Sequence, residues 1–529
     1  MAVFDSSLSV LTQGAAILFR RPIVFAALCL IFFTSIGVSA QTIKSPDFTL
    51  IALPDPQMYS EYFPDTFKQQ TAWIAAHRDE LNIKFVIGLG DNVNDGDSEP
   101  QWKNASDAMS ILDQVGLPYA MAIGNHDYLH SKPPTRTAPM FNKFFGKSRY
   151  AGKSWYGAST YPPGTSENFY VTLPIEGKKY LLLYLEYFPR AEAIAWAKTV
   201  LAGHAEEKVI VVTHALEGSD AFRNGQCDYN GPSAEGLETN TLNGEQMWDG
   251  LISQYPNIFL TLNGHVNGAA HETDFGKRGN AVTQILSDYQ DDADGGGGFL
   301  RILTIKPAQH QIIVRTYSPS SQSYKNDEQN SFTVPYDSDG LDPKIAGIRG
   351  RVRSRECDSV AASVSFTKGA HRDWSFADSD GYFATPTTVD PGNYRVAANA
   401  PGFSPSASTI EVRPGFTTPI RFYLTKADKE FTMDTPASLD VRTGSSATMS
   451  IGLKRIGGFA NAIQFTASGL PKGAIALFAP STPVGSRGTS VTIKVGNQVA
   501  PGKYKFRIIA TSGTVVRVAN VELFVSAER

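Results

Sequence analysis

Cysteine is scarce in this chain: only three of the 529 residues are cysteines. Cys29 lies in an apolar N-terminal segment, so Cys227 and Cys357 are the two that belong to the rest of the chain. Two cysteines cannot form the disulfide framework that holds many small secreted domains together. An oxidising compartment would allow this pair to bond and tie two distant regions together, but we expect two unpaired thiols, the simpler interpretation.

An excess of positive charge is also absent. The chain has 48 Lys and Arg residues against 51 Asp and Glu residues, a formal net charge of −3. Binding to a nucleic acid backbone depends on a surplus of basic residues that displaces counterions, so nucleic acid is excluded as a principal partner. With 42% hydrophobic and 19% charged residues, the composition is typical of a folded globular protein.

Long apolar runs are missing beyond residue 41, so the sequence predicts no transmembrane span in the mature protein. Ahead of that point, Arg20 and Arg21 precede residues 22–40, which contain no charged residue and end in Val-Ser-Ala. Such a pattern predicts a signal peptide over residues 1–40 and export to the periplasm or the medium. The alternative is a retained membrane anchor, because the run approaches the ~20 residues that span a bilayer.

Strand-like apolar runs alternate with amphipathic stretches between residues 48 and 317. The runs lack strict polar alternation, as expected when helices cover both faces of a sheet. Strands are predicted at 48–53, 85–89, 119–123, 180–185, 209–212 and 258–262, and helices around 67–77, 101–115, 191–202 and 244–254. The pattern indicates an α/β domain, in which ligands bind beyond the carboxyl ends of the strands.

The residues after Pro335 differ in composition. Short β-branched runs recur there between turns rich in Gly, Pro, Asn and Asp, which is typical of all-β sandwiches. This region holds no group of His, Asp and Glu that looks catalytic. The expected organisation is a signal peptide, an α/β domain and two β-sandwich domains, at 1–40, 41–343, 344–427 and 428–529.

Polar clusters at the ends of predicted strands are the most informative feature of the chain. Each cluster alone is typical of an ordinary turn or helix start, but five of them at one sheet edge predict a shared site. Carboxylate, amide and imidazole groups placed in this way suit a pair of divalent cations. The clusters are Asp55-Pro56-Gln57, Gly90-Asp91-Asn92, Gly124-Asn125-His126-Asp127, Thr213-His214 and Gly264-His265-Val266-Asn267.

The chemistry of each group suggests its role. Asp91 is the candidate bridge between two cations, because a carboxylate has two oxygens to share, and Asp55 adds an anionic oxygen to the first metal. His126 stays free to give a proton to the departing oxygen. Asp127 is placed to hold the second nitrogen of a nearby imidazole. The second metal is expected to take an amide oxygen and two imidazoles, from Asn125, His214 and His265.

These elements, in this order, resemble the calcineurin-like metallophosphoesterases over residues 48–317. The resemblance implies a four-layer α/β/β/α sandwich and a binuclear centre of manganese, iron or zinc. By position it also implies that His126 is the catalytic histidine. The metal ligands that it implies are Asp55, Asp91, Asn125, His214 and His265.

Two positions depart from the family pattern. The first and the last motif usually end in His, but Gln57 and Asn267 stand in those places here. Both lost imidazoles would have served the first metal, so we expect two amide ligands and a site that is weaker or prefers harder cations. A bacterial branch with an Asp-x-Gln first motif is similar, including the stretch Asp288-Tyr289-Gln290, and favours a variant site.

Further ligand candidates lie close by in sequence. His271, six residues beyond His265, could replace a missing imidazole. Asp291, Asp292 and Asp294 precede a glycine run and could supply oxygen ligands, although a flexible hairpin is the simpler interpretation.

Two long polar segments, 129–165 and 215–244, each follow a site cluster directly. Loops in such places either shape substrate choice or merely connect elements. The sequence leaves both interpretations open.

The expected function is that of an exported enzyme that hydrolyses phosphate mono- or diesters through a bridging hydroxide between two metal ions. The tail resembles a carboxypeptidase-regulatory-like domain followed by an immunoglobulin-like domain, which implies contact with a polymer or protein at the cell surface. The alternative is a catalytically weak or inactive surface-binding protein that acts through these β domains. Gln57 and Asn267 motivate that alternative.

Overall fold

The computed structural model describes residues 46–527, except 158, 226, 229–230, 233–235, 238–239, 484 and 486. The predicted signal peptide at 1–40 therefore lies outside the described residues. The segment Lys44–Arg529 forms one compact unit. Within the described part, no helix is both long and apolar enough to cross a bilayer.

Strands and helices alternate through the first part of the described chain. The strands are β1 (Phe48–Leu53), β2 (Ile83–Gly88), β3 (Tyr119–Met121), β4 (Phe169–Ile175), β5 (Lys178–Leu185), β6 (Lys208–Thr213), β7 (Ile258–Asn263), β8 (Gly268–Phe275), β9 (Ala281–Asp288), β10 (Leu300–Lys306), β11 (Gln311–Ser318), β12 (Ser323–Lys325) and β13 (Ser331–Pro335). The α-helices are α1 (Gln57–Glu61), α2 (Pro64–Ala76), α3 (Glu99–Gln114), α4 (Pro139–Phe144), α5 (Ala191–Gly203), α6 (Gly244–Gly250) and α7 (Ala293–Gly296). Short 3₁₀ turns lie at Leu129–Ser131, Pro133–Thr135, Ile252–Gln254, Pro307–Gln309 and Ser338–Gly340.

These strands form two sheets. The first has the order β12-β11-β10-β1-β2-β3, with β13 also paired to β11, and the second has the order β4-β5-β6-β7-β9-β8. Within them β1, β2 and β3 run parallel, as do β5, β6, β7 and β9. Parallel neighbours need long crossover connections, which explains the helices between them. Parallel strands end at the same edge of a sheet, so the polar clusters are brought together there.

Successive side chains of β5 show that the second sheet lies between two apolar layers. Tyr180, Leu182 and Tyr184 belong to the core that the two sheets share, whereas Leu181 and Leu183 pack with residues of α5 and α6. Neighbouring residues of a strand point to opposite faces, so a strand covered on both faces is apolar throughout. The predicted fold class, an α/β sandwich followed by β-sandwich sheets, is confirmed.

The predicted elements are found with only their ends shifted. The six predicted strands are β1, β2, β3, β5, β6 and β7, and the four predicted helices are α2, α3, α5 and α6. Strands β4 and β8 to β13 have no counterpart in the prediction. Several of them, such as β8 with the sequence GAAHETDF, mix polar and apolar residues and lack the continuous apolar run that marks a fully covered strand.

Two all-β regions follow. Their strands are β14 (Ala346–Ser354), β15 (Ser363–Lys368), β16 (His371–Phe376), β17 (Tyr382–Ala384), β18 (Gly392–Asn399), β19 (Ser406–Val412), β20 (Phe416–Leu424), β21 (Glu430–Asp434), β22 (Ser438–Arg442), β23 (Ser446–Ile456), β24 (Gln464–Ser468), β25 (Ala474–Ala479), β26 (Thr489–Val495), β27 (Gly502–Ser512) and β28 (Val515–Ser526). Each region pairs two sheets around its own core, within residues 346–424 and 431–525. The domain boundaries themselves stay predictions.

A disulfide joins the segment after β6 to the turn after β14. Cys227 and Cys357 are bonded, with their Cα atoms 5.1 Å apart and a sequence separation of 130. The expectation of two unpaired thiols is therefore wrong. The physical reason is tertiary: the loop after β6 folds against the first all-β region, which the sequence pattern does not show.

Arginines on β14 and β20 strengthen the same contact. Arg351 Nη1 lies 2.9 Å from Asp220 Oδ2, and Arg421 Nη1 lies 2.7 Å from Glu245 Oε1. Both arginines are largely buried, so their ion pairs are less screened by solvent than pairs on an open surface. The loop after β6 and helix α6 are thus held by ion pairs with the first all-β region.

Candidate metal centre

Strained backbone positions coincide with the predicted site. Asp55, Asp91 and His265 have φ angles of 34°, 46° and 73°. Residues other than glycine rarely adopt positive φ, and each such position costs on the order of 1–3 kcal/mol and is found mostly at functional sites. All three residues belong to the polar clusters at the strand ends.

Glycines beside these residues permit the close approach of the clusters. A Cβ atom on Gly264 would lie 2.2 Å from Asp55 Oδ1, and one on Gly90 would lie 2.3 Å from His214 Nδ1. Both distances are far below van der Waals contact, so a larger residue at either position would push the site apart. The glycines of these motifs therefore have a packing role that is separate from the chemistry of their neighbours.

His214 is fully buried at the centre of the site. Its Nδ1 donates to the Leu89 carbonyl oxygen over 2.9 Å, which leaves Nε2 as the acceptor nitrogen of the neutral ring. Nε2 lies 3.0 Å from Asn125 Oδ1 and 3.3 Å from Asp91 Oδ2. Burial lowers the pKa of His214, but the charge of Asp91 and the hydrogen bonds with Asp91 and Leu89 together outweigh it, and the pKa is raised. An imidazole, an amide and a carboxylate therefore meet, as predicted for the second metal.

Asp91 turns its two oxygens toward different partners. Oδ1 accepts a hydrogen bond from the His126 backbone N–H over 3.0 Å, and Oδ2 faces His214. Burial raises the pKa of Asp91, but the charges of His214 and His126 outweigh it and lower the pKa below its ordinary value. An ionised carboxylate with two differently directed oxygens has the geometry expected of a bridge.

His265 joins the site from the turn after β7. Its backbone N–H donates to Asp55 Oδ2 over 2.7 Å, and its ring centre lies 5.1 Å from that of His214. Its Nε2 lies 3.1 Å from the hydroxyl of Tyr187, a residue that the sequence analysis does not single out. Tyr187 follows β5 as the five clusters follow their strands, so position alone could have indicated it.

His126 lies half-buried beside the bridging carboxylate. Its Nδ1 donates to the carbonyl oxygen of Asn94 over 2.7 Å. Burial lowers the pKa of His126, but Asp91 and this hydrogen bond raise it above its ordinary value. The ring therefore stays protonated closer to neutral pH, and Nε2 is the nitrogen that remains to donate a proton.

Asp127 has a different role from the one expected. Its carboxylate accepts hydrogen bonds of 2.8–3.2 Å from the backbone N–H groups of Asn92, Val93 and Gly124 and from the Asn92 side chain. Backbone carbonyl oxygens hold Nδ1 of His126 and His214 instead. The expectation that Asp127 holds an imidazole is thus corrected: it satisfies the N–H groups of the turns after β2 and β3, which have no strand partner.

The two amides that replace the family histidines lie in different surroundings. Gln57 is buried, and its side-chain N–H donates to the side chain of Gln290. Asn267 is exposed, and its side-chain N–H donates to Asp291. Gln57 therefore lies inside the site and Asn267 at its solvent-facing edge, and their roles as metal ligands stay predictions.

Buried oxygens without a hydrogen bond test whether a cation fits. Among the described residues, Asp55 Oδ1, Gln57 Oε1 and Asp288 Oδ2 are buried and accept no hydrogen bond. Burial raises the pKa of Asp55 well above its ordinary value and that of Asp288 to about 6. Native proteins rarely leave buried oxygens unpaired, and carboxylate and amide oxygens are ligands of divalent cations. These residues therefore fit a cation.

Two of the other sequence candidates, His271 and Asp292, have partners outside this group. His271 stacks on Phe332 with ring centres 3.7 Å apart, and burial lowers its pKa to about 4. Asp292 pairs with Lys325 at 2.8 Å. The structure does not place His271 where it would replace a lost imidazole.

Comparison with known proteins gives one family and one curated relative. Residues 50–265 match the family described as calcineurin-like phosphoesterase. The chain is 31% identical over 323 residues to the uncharacterized protein YvnB of Bacillus subtilis, a similarity that covers 60% of this chain and 23% of that protein. The chain thus matches less than a quarter of that relative's length.

Similarities to solved structures are weak. Domains 4 and 5 of the S-layer protein SbsC are 21% identical, with 27% of this chain and 69% of that chain covered and a TM-score of 0.16. A DUF3823 family protein from Bacteroides ovatus is 11% identical, with 34% and 99% covered and a TM-score of 0.18. At these scores neither similarity assigns a function.

Proposed function

We propose that the chain, whose residues 50–265 match the calcineurin-like phosphoesterase family, is an exported metal-dependent hydrolase of phosphate mono- or diesters. The observation that supports this most is the position of Asp91. Its carboxylate lies between His126 and His214 and directs one oxygen toward each, which is the arrangement that two cations would share.

Two divalent cations, of manganese, iron or zinc, are the proposed cofactors. When bound, the metal pair supplies a Lewis acid that activates water and screens the charge of the phosphoryl group. The first cation would be held by Asp55, Gln57, Asp91 and Asn267, and the second by Asp91, Asn125, His214 and His265.

His126 is the proposed general acid. The carbonyl oxygen of Asn94 fixes the ring through Nδ1, so the proton reaches the leaving oxygen from Nε2. Asp91 raises the pKa of His126, which keeps that proton in place at the pH where a phosphate ester is cleaved. Positioned general acids contribute about 10²–10⁴-fold in rate.

Turnover of aryl phosphate mono- and diesters with added Mn²⁺ tests this function. We expect His126→Ala to lower kcat by on the order of 10² or more, and a chelator to abolish turnover of the wild-type protein. His371→Ala, an exposed histidine on β16, is the matched control and should leave kcat unchanged. Equal rates for the two variants would remove His126 from the reaction.

Export is a separate part of the proposal, and the sequence of residues 1–40 supports it. Mass spectrometry of the mature protein from the periplasm or medium should show a chain that begins at Gln41. A cell-bound chain that retains Arg20 and Arg21 would indicate the membrane anchor instead.

A surface-binding protein with little or no catalysis is the second candidate. The structure adds an observation that favours it: Ile475 and Leu477 on the sheet-edge strand β25 are 54% and 46% exposed. Exposed apolar groups on an edge strand are a common basis for contact with a partner. A chain that binds no Mn²⁺ and turns over no phosphate ester would support this candidate over the enzyme.

A further inference from the structure

Asp288, the last residue of β9, is a buried carboxylate outside the five polar clusters. It is 1% exposed. Its Oδ1 accepts a hydrogen bond from the Gln290 backbone N–H over 2.9 Å, while Oδ2 is buried without a partner among the described residues. One oxygen of this carboxylate therefore has a hydrogen-bond partner among the described residues, and the other has none.

Asp55 shows the same division. Its Oδ2 accepts from the His265 backbone N–H over 2.7 Å, and its Oδ1 has no hydrogen-bond partner in the described part of the chain. Asp55 and Asp288 lie within hydrogen-bonding reach of each other. Ionised carboxylates have no proton to donate, so two of them at this distance need a proton or a cation between them.

The surrounding charges add to this requirement. Two other carboxylates, Asp288 and Asp91, raise the pKa of Asp55, and His214 Nδ1 lies 3.7 Å from Asp55 Oδ1. A second buried carboxyl pair, Glu217 and Glu272, instead faces the guanidinium groups of Arg223 and Arg349. That second pair is thus compensated by two guanidinium groups, whereas Asp55 and Asp288 face the further carboxylate of Asp91 and the imidazole of His214.

Gln57, two residues after Asp55, carries a third oxygen of this kind. Its side-chain N–H donates to the side-chain oxygen of Gln290, and its own amide oxygen is left to accept. That oxygen is buried and accepts no hydrogen bond from the described residues. Two carboxylate oxygens and one amide oxygen are therefore buried without a hydrogen-bond partner among the described residues.

We propose that Asp288 is a ligand of the first cation and takes the place of an imidazole that the motifs at Gln57 and Asn267 have lost. The first site is then built from oxygens, with Asp55, Gln57 and Asp288 around the shared Asp91. All-oxygen sites favour harder cations, so this site should select Mn²⁺ or Mg²⁺ over Zn²⁺. The inference rests on the proposed function, because it presumes that two cations bind.

Binding of Mn²⁺ alone to the full chain tests the inference without an activity assay. The variant is Asp288→Asn, which keeps the shape and removes the charge. The matched control is Asp440→Asn, the same change at an exposed acidic residue on β22. Metal content after desalting and electron paramagnetic resonance titration with Mn²⁺ give stoichiometry and affinity.

We expect two Mn²⁺ per chain for the wild type and the control. Asp288→Asn should bind one ion tightly and the other at least about tenfold more weakly. Thermal melting gives a second signature. Without metal the variant should melt above the wild type, because the facing negative charges are gone, and with saturating Mn²⁺ it should melt below it.

Two outcomes would overturn the inference. One is an Asp288→Asn variant that binds two Mn²⁺ with unchanged affinity and melts above the wild type with and without metal, which would show that Asp55 and Asp288 share a proton. The other is a wild-type chain that binds fewer than two ions. If the first outcome is found while the wild type binds two ions and is active, the proposed function stands. A wild type that binds no ions and shows no turnover rejects both the inference and the proposed function.

Discussion

Glu217 shows at the scale of one residue what burial does to a carboxyl group in this fold. It lies three residues after His214, is fully buried, and both of its carboxyl oxygens lack a hydrogen-bond partner among the described residues. Burial and the charge of Glu272 raise its pKa well above the ordinary value, although Arg349 and Arg223 act in the opposite direction. The folded protein therefore favours the neutral carboxyl group.

The sign of the pH dependence follows. Because the folded-state pKa of Glu217 is raised, its contribution to stability is complete below the unfolded value and is lost as pH rises through the folded value. Glu217→Gln stays neutral, so it should be more stable than the wild type at pH 8 by about 1 kcal/mol or more, the free energy of one pKa unit. The difference should vanish near pH 4.

Thermal melting at the two pH values measures this difference. Glu411→Gln, at an exposed position on β19, is the control and should show no such gain. A Glu217→Gln variant that melts below the wild type at both pH values would mean that the ionised carboxylate, held by the arginines, stabilises the fold.

At the scale of elements, the turns after the strands decide whether the site can form. Strands β1 and β7 belong to different sheets, yet Asp55 after β1 and His265 after β7 are joined by a 2.7 Å hydrogen bond. Gly264 makes this contact possible, because a Cβ atom there would lie 2.2 Å from Asp55 Oδ1. The turn that contains Gly264 and the carboxylate of Asp55 therefore pack together as one unit.

Gly264→Ala should damage the site more than the fold. Overpacking of this kind typically costs about 1–3 kcal/mol, and we expect Mn²⁺ affinity to fall at least about tenfold because Asp55 is displaced. Gly250→Ala at the end of α6 is the control, since a Cβ there meets only Leu242 Cδ2, at 3.9 Å. Unchanged Mn²⁺ binding in Gly264→Ala would show that Asp55 is not a ligand.

The sequence predicts elements well where one physical rule dominates. Strands covered on both faces are continuous apolar runs, so β1, β2, β3, β5, β6 and β7 are predicted from the sequence. The run of β9, AVTQILSD, is interrupted by Thr283 and Gln284 and has no such signature. Asp288 stands at the end of that unpredicted strand, which is why it is absent from the predicted site.

At the scale of the whole molecule, the first all-β region holds the loop after β6. The Cys227–Cys357 bond and the ion pair of Arg351 with Asp220 both connect them. That loop starts directly after His214, so its position affects the approach to the metal centre. The resemblance of the tail to surface-binding modules does not reveal this internal contact.

Removal of the disulfide should loosen the loop. Bonds that close long loops contribute about 2–4 kcal/mol, so the double variant Cys227→Ser, Cys357→Ser should melt at a lower temperature than the wild type. Dithiothreitol should bring the wild type down to the variant's melting temperature and leave the variant unchanged, which serves as the internal control. A wild type that melts identically with and without reductant would show that the bond adds nothing to stability.

The amino-acid sequence by itself determined the fold class, the layered first part and the chemical character of the five clusters, because each depends on neighbouring residues. Only the tertiary structure decided the partners of Asp127, the pairing of Asp55 with Asp288 and the disulfide. These contacts join positions far apart in the chain, such as Gln57 and Gln290 with a separation of 233 residues. Local patterns record whether a side chain is buried or exposed, but the residue that it meets depends on how the two sheets and the tail pack together.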